Sequence, residues 1–465
     1  MSKSHVKLSN LSVDISGNKI LDSISLDIEE GISFGVFGES GSGKSTLARY
    51  LANQLTPLAH ARSQVTEVTE KVALVHQNPL LSLNPVLTIQ DQLEEAISAG
   101  SLSPLTQDEL AIALSEAGIS QARARLADYP MSFSGGELQR IAVVRAVLYR
   151  PELLILDEAT SALDEQNQEL VFDLIQTYQR ETKATVLIIS HSLELIQNHT
   201  AEALFLDKGQ VVEQGKTQEL ISQPTSEKLK RLVAARTGFS KSSTQSNPGE
   251  ALLKFDQLDV FTPDDPKGDR LVRITEFQLL EGESLGITAP SGTGKSSFLK
   301  GLLGSYPARF RNLTVAGIKH KSSSLPNKVK NQYGYVLQDP RDSFDPLKTI
   351  NASLKFALGP KARITNTQTL LAQSLKDVGL DPALGKRFPS ELSGGQLQRA
   401  SIARALVVDP KILFLDEPTS ALDQENEVLI LELLQSLREK YGLTILLISH
   451  SSFVTKAATD RVISL

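Results

Sequence analysis

The chain has 465 residues, 40% hydrophobic and 22% charged, which fits a soluble globular protein of two to four domains and excludes a wholly disordered one. Its 48 basic and 54 acidic side chains leave a formal charge of −6, so the chain is no polyanion-coating protein and no nucleic-acid partner is expected. Zero cysteines exclude a disulfide scaffold, a thiolate zinc site, an iron–sulfur cluster on cysteine and a cysteine nucleophile.

The first residues lack the apolar core of a signal peptide, and no apolar run approaches the roughly 18–20 residues of a membrane helix. A cytoplasmic chain that reaches a membrane only through a partner is therefore expected. In chain order, the first strong signal is an apolar run over 32–37, read as a buried strand, followed by an expected helix over 44–55. Between them lies Gly38-Glu39-Ser40-Gly41-Ser42-Gly43-Lys44-Ser45-Thr46, which satisfies G-x-x-x-x-G-K-[ST] in a strand-to-helix setting. Glycines let backbone N–H groups curl around phosphate oxygens, and the helix N-terminus adds favourable potential. Lys44 is expected on the β- and γ-phosphates of ATP and Ser45 on Mg2+.

A strand over 72–75 delivers Gln77, expected to contact Mg2+ or water and to sense a partner. Residues 88–118 read as helical without strands, as in Leu110, Ala113, Leu114 and Ala117, and form a candidate inserted helical subdomain. Ser134-Gly135-Gly136-Glu137 then stands where a helix should begin, a favoured N-cap whose exposed N–H groups make an anion site. A strand over 153–156 ends in Asp157 and Glu158. Successive residues at a strand end diverge, so Asp157 suits the Mg2+ shell and Glu158 a base that accepts a proton from, or orients, the water attacking the γ-phosphate. A helix over 166–178 and a buried strand over 184–190 lead to His191, placed to reach the γ-phosphate. A strand, turn and strand over 203–213 and a short basic helix over 226–236 complete this half.

The pattern then repeats. Ala289-Pro290-Ser291-Gly292-Thr293-Gly294-Lys295-Ser296-Ser297 answers to the first loop, with alanine in the leading glycine position. Gln338, Ser393-Gly394-Gly395-Gln396, Asp416, Glu417 and His450 answer to the later motifs, with Ser296, Gln338 and Asp416 expected on the second Mg2+. Lys295 follows Lys44 by 251 positions, and the spacing settles at 259 for Ser134/Ser393, Glu158/Glu417 and His191/His450. A constant spacing means two copies of one large domain rather than a short-period solenoid. The expected division is a first domain over 1–236, a Ser/Thr/Asn-containing linker over 237–250 and a second domain over 251–465. Extra residues near 319–332 read as a surface loop, and the strand–turn–strand and basic helix are expected to have no counterpart in the second copy. If the leading loop position needs positive φ, Ala289 costs on the order of 1 kcal/mol. The alternation of strands and helices favours an α/β architecture with a largely parallel sheet.

This ordered set resembles the ATP-binding cassette (ABC) ATPase family over nearly the whole chain, in two tandem copies. The resemblance implies two tandem P-loop NTPase domains, each with a RecA-like core, an antiparallel β part and a helical subdomain. It also implies a head-to-tail pseudo-dimer in which Ser393 to Gln396 complete the first ATP site and Ser134 to Glu137 the second, with 161–164 and 420–423 crossing the interface. The run from Gln77 to Pro85 and that from Gln338 to Pro346 resemble peptide/nickel importer ATPases. A subunit on the cytoplasmic face of the cell membrane is thereby implied, working with two transmembrane permease subunits and an extracytoplasmic solute-binding protein. An energy-coupling-factor vitamin or metal importer, and a soluble tandem ABC protein acting on ribosomes, are the alternatives. The Ser-Leu-Asn-Pro continuation speaks against the first, and the short Ser-rich linker against the second. Ala289 and Glu137 both depart from the family pattern in the second ATP site, which is expected to turn over more slowly. Ile15 and Phe261 stand where an adenine-stacking aromatic is usual.

Overall fold

The computed structural model describes residues 4–39, 41–160, 163–237, 249–265, 268–289, 293–320, 333–359, 366–420, 422 and 424–465. The chain forms two compact units, Met1–Ala235 and Arg236–Leu465.

In the first unit, alternating apolar residues build β1 (Ser4–Ile15) and β2 (Asn18–Glu29): Val6, Leu8, Leu11 and Val13 turn inward on one, Leu21, Ile24, Leu26 and Ile28 on the other. The chain passes through β3 (Ser33–Phe37) and α1 (Lys44–Leu51), then returns as β4 (Ala59–Arg62) and β5 (Val65–Val68), both antiparallel to β1. Strands β6 (Val72–Val75), β7 (Leu153–Asp157), β8 (Thr185–Ser190) and β9 (Glu202–Asp207) join β3 in a parallel sheet, ordered β9-β3-β8-β7-β6. An antiparallel strand, β10 (Gln210–Lys216), closes the β9 edge. Strands β7 and β8 are buried at every position, as a parallel sheet covered on both faces requires.

Between β6 and β7 come α2 (Ile89–Ala99), α3 (Gln107–Glu116), α4 (Ala122–Arg125) and α5 (Gly135–Leu148). Thr88 and Thr106 start α2 and α3 with capping boxes closed by Asp91 and Glu109. Helices α6 (Glu165–Thr182), α7 (Leu193–His199), α8 (Thr217–Ser222) and α9 (Glu227–Thr237) follow.

The second unit repeats the plan. Strands β11 (Ala251–Phe261) and β12 (Arg270–Leu280) pair antiparallel, and β13 (Ser284–Thr288) leads to α10 (Lys295–Leu303). Strands β14 (Ala308–Arg311), β15 (Leu313–Val315) and β16 (Ile318–His320) extend the antiparallel sheet. Strand β17 (Tyr333–Val336), helices α11 (Ile350–Leu358), α12 (Thr367–Asp377) and α13 (Gly394–Leu406), and strand β18 (Ile412–Asp416) come next. Helix α14 (Gln424–Tyr441), strand β19 (Thr444–Ile448), helix α15 (Ser452–Ala458) and strand β20 (Arg461–Ser464) finish it, with parallel order β17-β18-β19-β13-β20.

Four expectations change. The first P-loop helix stops at Leu51 rather than at 55, because Asn53 turns left-handed (φ 54°) and Gln54 N–H bonds back to Arg49 C=O at 2.7 Å. Helix α6 runs past 178 to Thr182, from its Asp164 cap to a left-handed Lys183. Strand 203–206 does have a counterpart, since β20 pairs with β13 as β9 pairs with β3. Of the stretch 319–332, Lys319 and His320 lie in β16, while 321–332 falls outside the described residues, as does 238–248 of the expected linker.

In the second unit the ring of Phe277 is stacked on Phe255 at 4.9 Å and lies 5.6 Å from Phe298, so it ties the antiparallel sheet to the P-loop helix α10. Phe277→Ala is expected to cost about 3–5 kcal/mol of stability. Urea unfolding checks this, and an unchanged midpoint would show that the ring carries no such load.

Candidate functional site

Parallel strands present their carboxyl ends on one edge, where open α/β sheets bind ligands. The register sets which residues arrive there: Phe37 lies beside Ser190, Asp157 beside Ile189 and Val75 beside Leu156. The segments that leave this edge are the loop after β3, Gln77 after β6, Glu158 after β7 and His191 after β8.

The first loop is shaped by glycines. Gly41 and Gly43 have φ of 79° and 103°, and Gly43 is the N-cap of α1. Gly38 is held sterically, because a Cβ there would lie 2.0 Å from the carbonyl oxygen of Leu206 in β9. Lys44 is buried, and its Nζ donates to the carbonyls of Gly38 and Glu39, each at 2.8 Å. The Ser45 hydroxyl donates to Asp157 Oδ1 at 2.9 Å. Burial, only partly offset by that hydrogen bond, pushes the Asp157 carboxyl above its ordinary value.

Glu158 turns away from its neighbour because its backbone is left-handed (φ 52°), a strain on the order of 1 kcal/mol for a non-glycine residue. Its N–H still bonds Ile189 C=O at 3.0 Å. Gln77 Nε2 donates to Glu158 Oε2 at 3.0 Å, and His191 Nδ1 lies 3.5 Å from Oε1. Burial pushes the Glu158 carboxyl up, but the His191 hydrogen bond and charge, with Lys44, outweigh it and hold the group below the usual range. An ionised Glu158 is what a water-orienting base requires.

The second unit reproduces this cluster. Glu417 is left-handed (φ 46°), accepts from Gln338 Nε2 at 2.9 Å and lies 3.4 Å from His450 Nδ1. The hydrogen bond that His450 donates to Glu417, opposed by burial, raises His450 above the ordinary histidine value. Ser296 Oγ donates to Asp416 Oδ1 at 3.3 Å, and Lys295 Nζ donates to the Ala289 carbonyl. Gly294 caps α10 with φ 96°, and Ala289 is buried and outside the positive-φ residues, so the expected alanine strain does not arise. Ser40, Pro290, Ser291 and Gly292 lie outside the described residues, as do Ser161, Ala162, Ala421 and Asp423. Asp164 caps α6 through Asn167 N–H at 2.9 Å.

The Ser-Gly-Gly turns begin helices α5 and α13 as expected, each with a capping box. Ser134 N–H and Oγ both donate to Glu137 Oε2 at 2.8 Å, whereas Gln396 accepts only from Ser393 N–H, at 3.1 Å. The Glu137 charge is met by Arg125, whose Nη1 lies 2.5 Å from Oε1 and whose guanidinium sits 3.9 Å from the Phe133 ring centroid. Burial raises the Glu137 carboxyl, yet Arg125 and Ser134 together hold it low. Tyr335 is a further addition, its hydroxyl 3.3 Å from Asp416 Oδ2, where the first unit has Leu74. Neither Arg125 nor Tyr335 is marked by any spacing in the sequence. Phe261 is buried with its ring 4.8 Å from the Arg309 guanidinium, and Ile15 ends β1.

Set against known proteins, residues 21–161 and 272–420 match the ABC transporter family model, one match in each unit. The chain belongs to the ABC transporter family. It binds and hydrolyses ATP. Over its whole length it is 33% identical to the uncharacterized ABC transporter ATP-binding protein YejF of Escherichia coli (strain K12), covering 94% of that protein. It is 31% identical to the peptidoglycan transport ATP-binding protein YejF of Agrobacterium fabrum, covering 95% of this chain and 87% of the relative. It is 30% identical to the glutathione import ATP-binding protein GsiA of Escherichia coli (strain K12), covering 94% of this chain and 80% of the relative. Among solved structures, an RNase-L inhibitor shares the fold at a TM-score of 0.67 and 21% identity, over 97% of this chain and 87% of that one.

Because a Cβ at position 38 meets backbone rather than a yielding side chain, Gly38→Ala is expected to weaken ATP binding at the first loop at least about tenfold. A nucleotide titration of the chain with the second loop disabled by Lys295→Ala measures this.

Proposed function

We propose that this chain is the ATP-hydrolysing engine of a membrane importer for peptides, nickel or related small solutes. It sits peripherally on the cytoplasmic face of the membrane, with two permease subunits and an extracytoplasmic solute-binding protein as partners. Among the described residues no helix is long and apolar enough to cross a membrane. The observation that carries the reading is the double duty of the runs that begin at Gln77 and Gln338. Gln77 and Gln338 bond the left-handed glutamates, and the segments just beyond leave Leu81 67%, Val86 74% and Leu347 85% exposed. A permease pressing on those apolar side chains moves the glutamine, and with it the group that orients water. Two of the named relatives are a peptidoglycan transport and a glutathione import ATP-binding protein, which supports a peptide-like solute.

Lys44 and Lys295 hold the β- and γ-phosphates, Glu158 and Glu417 orient the attacking water, and His191 and His450 reach the γ-phosphate. The signature turns Ser134 to Glu137 and Ser393 to Gln396 also contact ATP. The all-oxygen sets Ser45, Gln77, Asp157 and Ser296, Gln338, Asp416 suit Mg2+, with Ser45 and Asp157 already 2.9 Å apart and Asp157 buried. When bound, Mg2+ neutralises charge developing on the phosphates. The second site turns over more slowly, in keeping with its longer Ser296–Asp416 contact of 3.3 Å against 2.9 Å for Ser45–Asp157.

Glu158→Gln and Glu417→Gln, made separately, are each expected to lower steady-state ATPase at least about tenfold at their own site, the first with the larger loss. Equal losses would overturn the asymmetry. Co-purification from membranes with two permease subunits, and ATP-driven uptake of a short peptide into vesicles carrying them, tests the importer reading. Stable sedimentation with ribosomes instead would refute it.

A further inference from the structure

We infer that Lys228, on a helix outside the family match, is a positioning residue that sets the ATP affinity of the first P-loop through Glu39. The inference rests on the reading of residues 38–45 as the phosphate loop. The Glu39 carbonyl accepts from Lys44 Nζ at 2.8 Å and from Ser42 N–H at 3.2 Å, so its backbone is part of the cradle. Its side chain places a carboxylate in a loop whose ligand is a polyanion, and like charges at that range repel.

Lys228 Nζ lies 3.2 Å from Glu39 Oε1 and 2.7 Å from Asp207 Oδ1. Asp207 ends β9, immediately before the turn whose Gly209 N–H bonds Ser42 C=O at 3.0 Å. One ammonium thus joins two segments that frame the loop. Its helix, α9, is fixed independently of the loop: Leu229 and Val233 are buried in the core of the first unit, and Glu213 accepts from Thr225 N–H at 3.0 Å and from Ser226 N–H at its start. Burial opposes the charge on Lys228, but its two carboxylate partners raise it above the ordinary lysine value, so it stays protonated at neutral pH. The second copy has Pro290 at the Glu39 position and so has no carboxylate there to offset. Lys228 therefore does two things. It neutralises the one acidic side chain of the loop, and it holds that side chain toward α9 and away from the phosphates.

The test uses the full chain carrying Lys295→Ala, so that the first loop accounts for binding, titrated with fluorescent MANT-ATP and Mg2+. Both partners are about a third exposed, 36% and 34%, so Lys228→Met is expected to raise Kd only about three- to fivefold. Lys228→Arg is expected to stay within about twofold, because it keeps the charge. In a Glu39→Gln background, Lys228→Met should have no further effect. The same weakening in both backgrounds would show that Lys228 merely packs α9, and no weakening in either would also overturn the inference. Lys44→Ala in the same titration separates the two levels. If MANT-ATP binding survives it, the phosphate-loop reading itself fails. If binding is lost there while Lys228→Met and wild type agree, only the role of Lys228 falls.

Discussion

One backbone hydrogen bond in each unit governs the chemistry of the site: Glu158 N–H to Ile189 C=O, and Glu417 N–H to Ile448 C=O. It extends the parallel ladder one residue past the strand while the glutamate itself is left-handed. Two neighbouring carboxylates are thereby sent to different surroundings. Asp157 stays under the sheet edge against Ser45, where burial lifts its proton affinity. Glu158 swings to Gln77 and His191, where it is held ionised. A relaxed, extended glutamate would lose that division of labour, and the strain of about 1 kcal/mol is small beside what it secures. The same geometry recurs in the second unit with Ser296, Gln338 and His450.

Much of this was legible in the residues. The buried strands announce themselves as continuous apolar runs, helices α5 and α13 by their Ser caps, and the repeat by a constant spacing of 259. What escaped depends on contacts distant in the chain or on backbone geometry. The early end of α1 rests on Asn53 taking a left-handed role usually given to glycine. The capping reach of Asp164 and Lys183 lengthens α6 beyond its apolar pattern. Arg125, Tyr335 and Lys228 stand outside every motif, and each meets its partner only once the fold has formed.

Those three residues also show how the copies have diverged around a shared centre. The glutamine and histidine contacts to the left-handed glutamate keep nearly the same distances in both units, but their surroundings differ. The first unit answers a charged Glu137 with Arg125 and Phe133, where the second has a neutral Gln396 and Leu392. The second unit adds a tyrosine hydroxyl to Asp416, where the first has an aliphatic side chain. Replacing a glutamine by a glutamate is thus not a simple loss, because the added charge is met locally.

The contact between Gly38 and the Leu206 carbonyl has a consequence for how the protein is made. The loop after β3 leaves the ribosome early, yet the backbone that moulds it comes from β9 and the Gly209 turn, some 170 residues later. Such long-range closure is slow and must await synthesis of the distal partner. The nascent first half therefore carries an unformed phosphate cradle until nearly all of that half has emerged. A ligand stabilises only the state that binds it, so whatever stabilisation nucleotide gives the first loop comes after β9 and the Gly209 turn have closed on it.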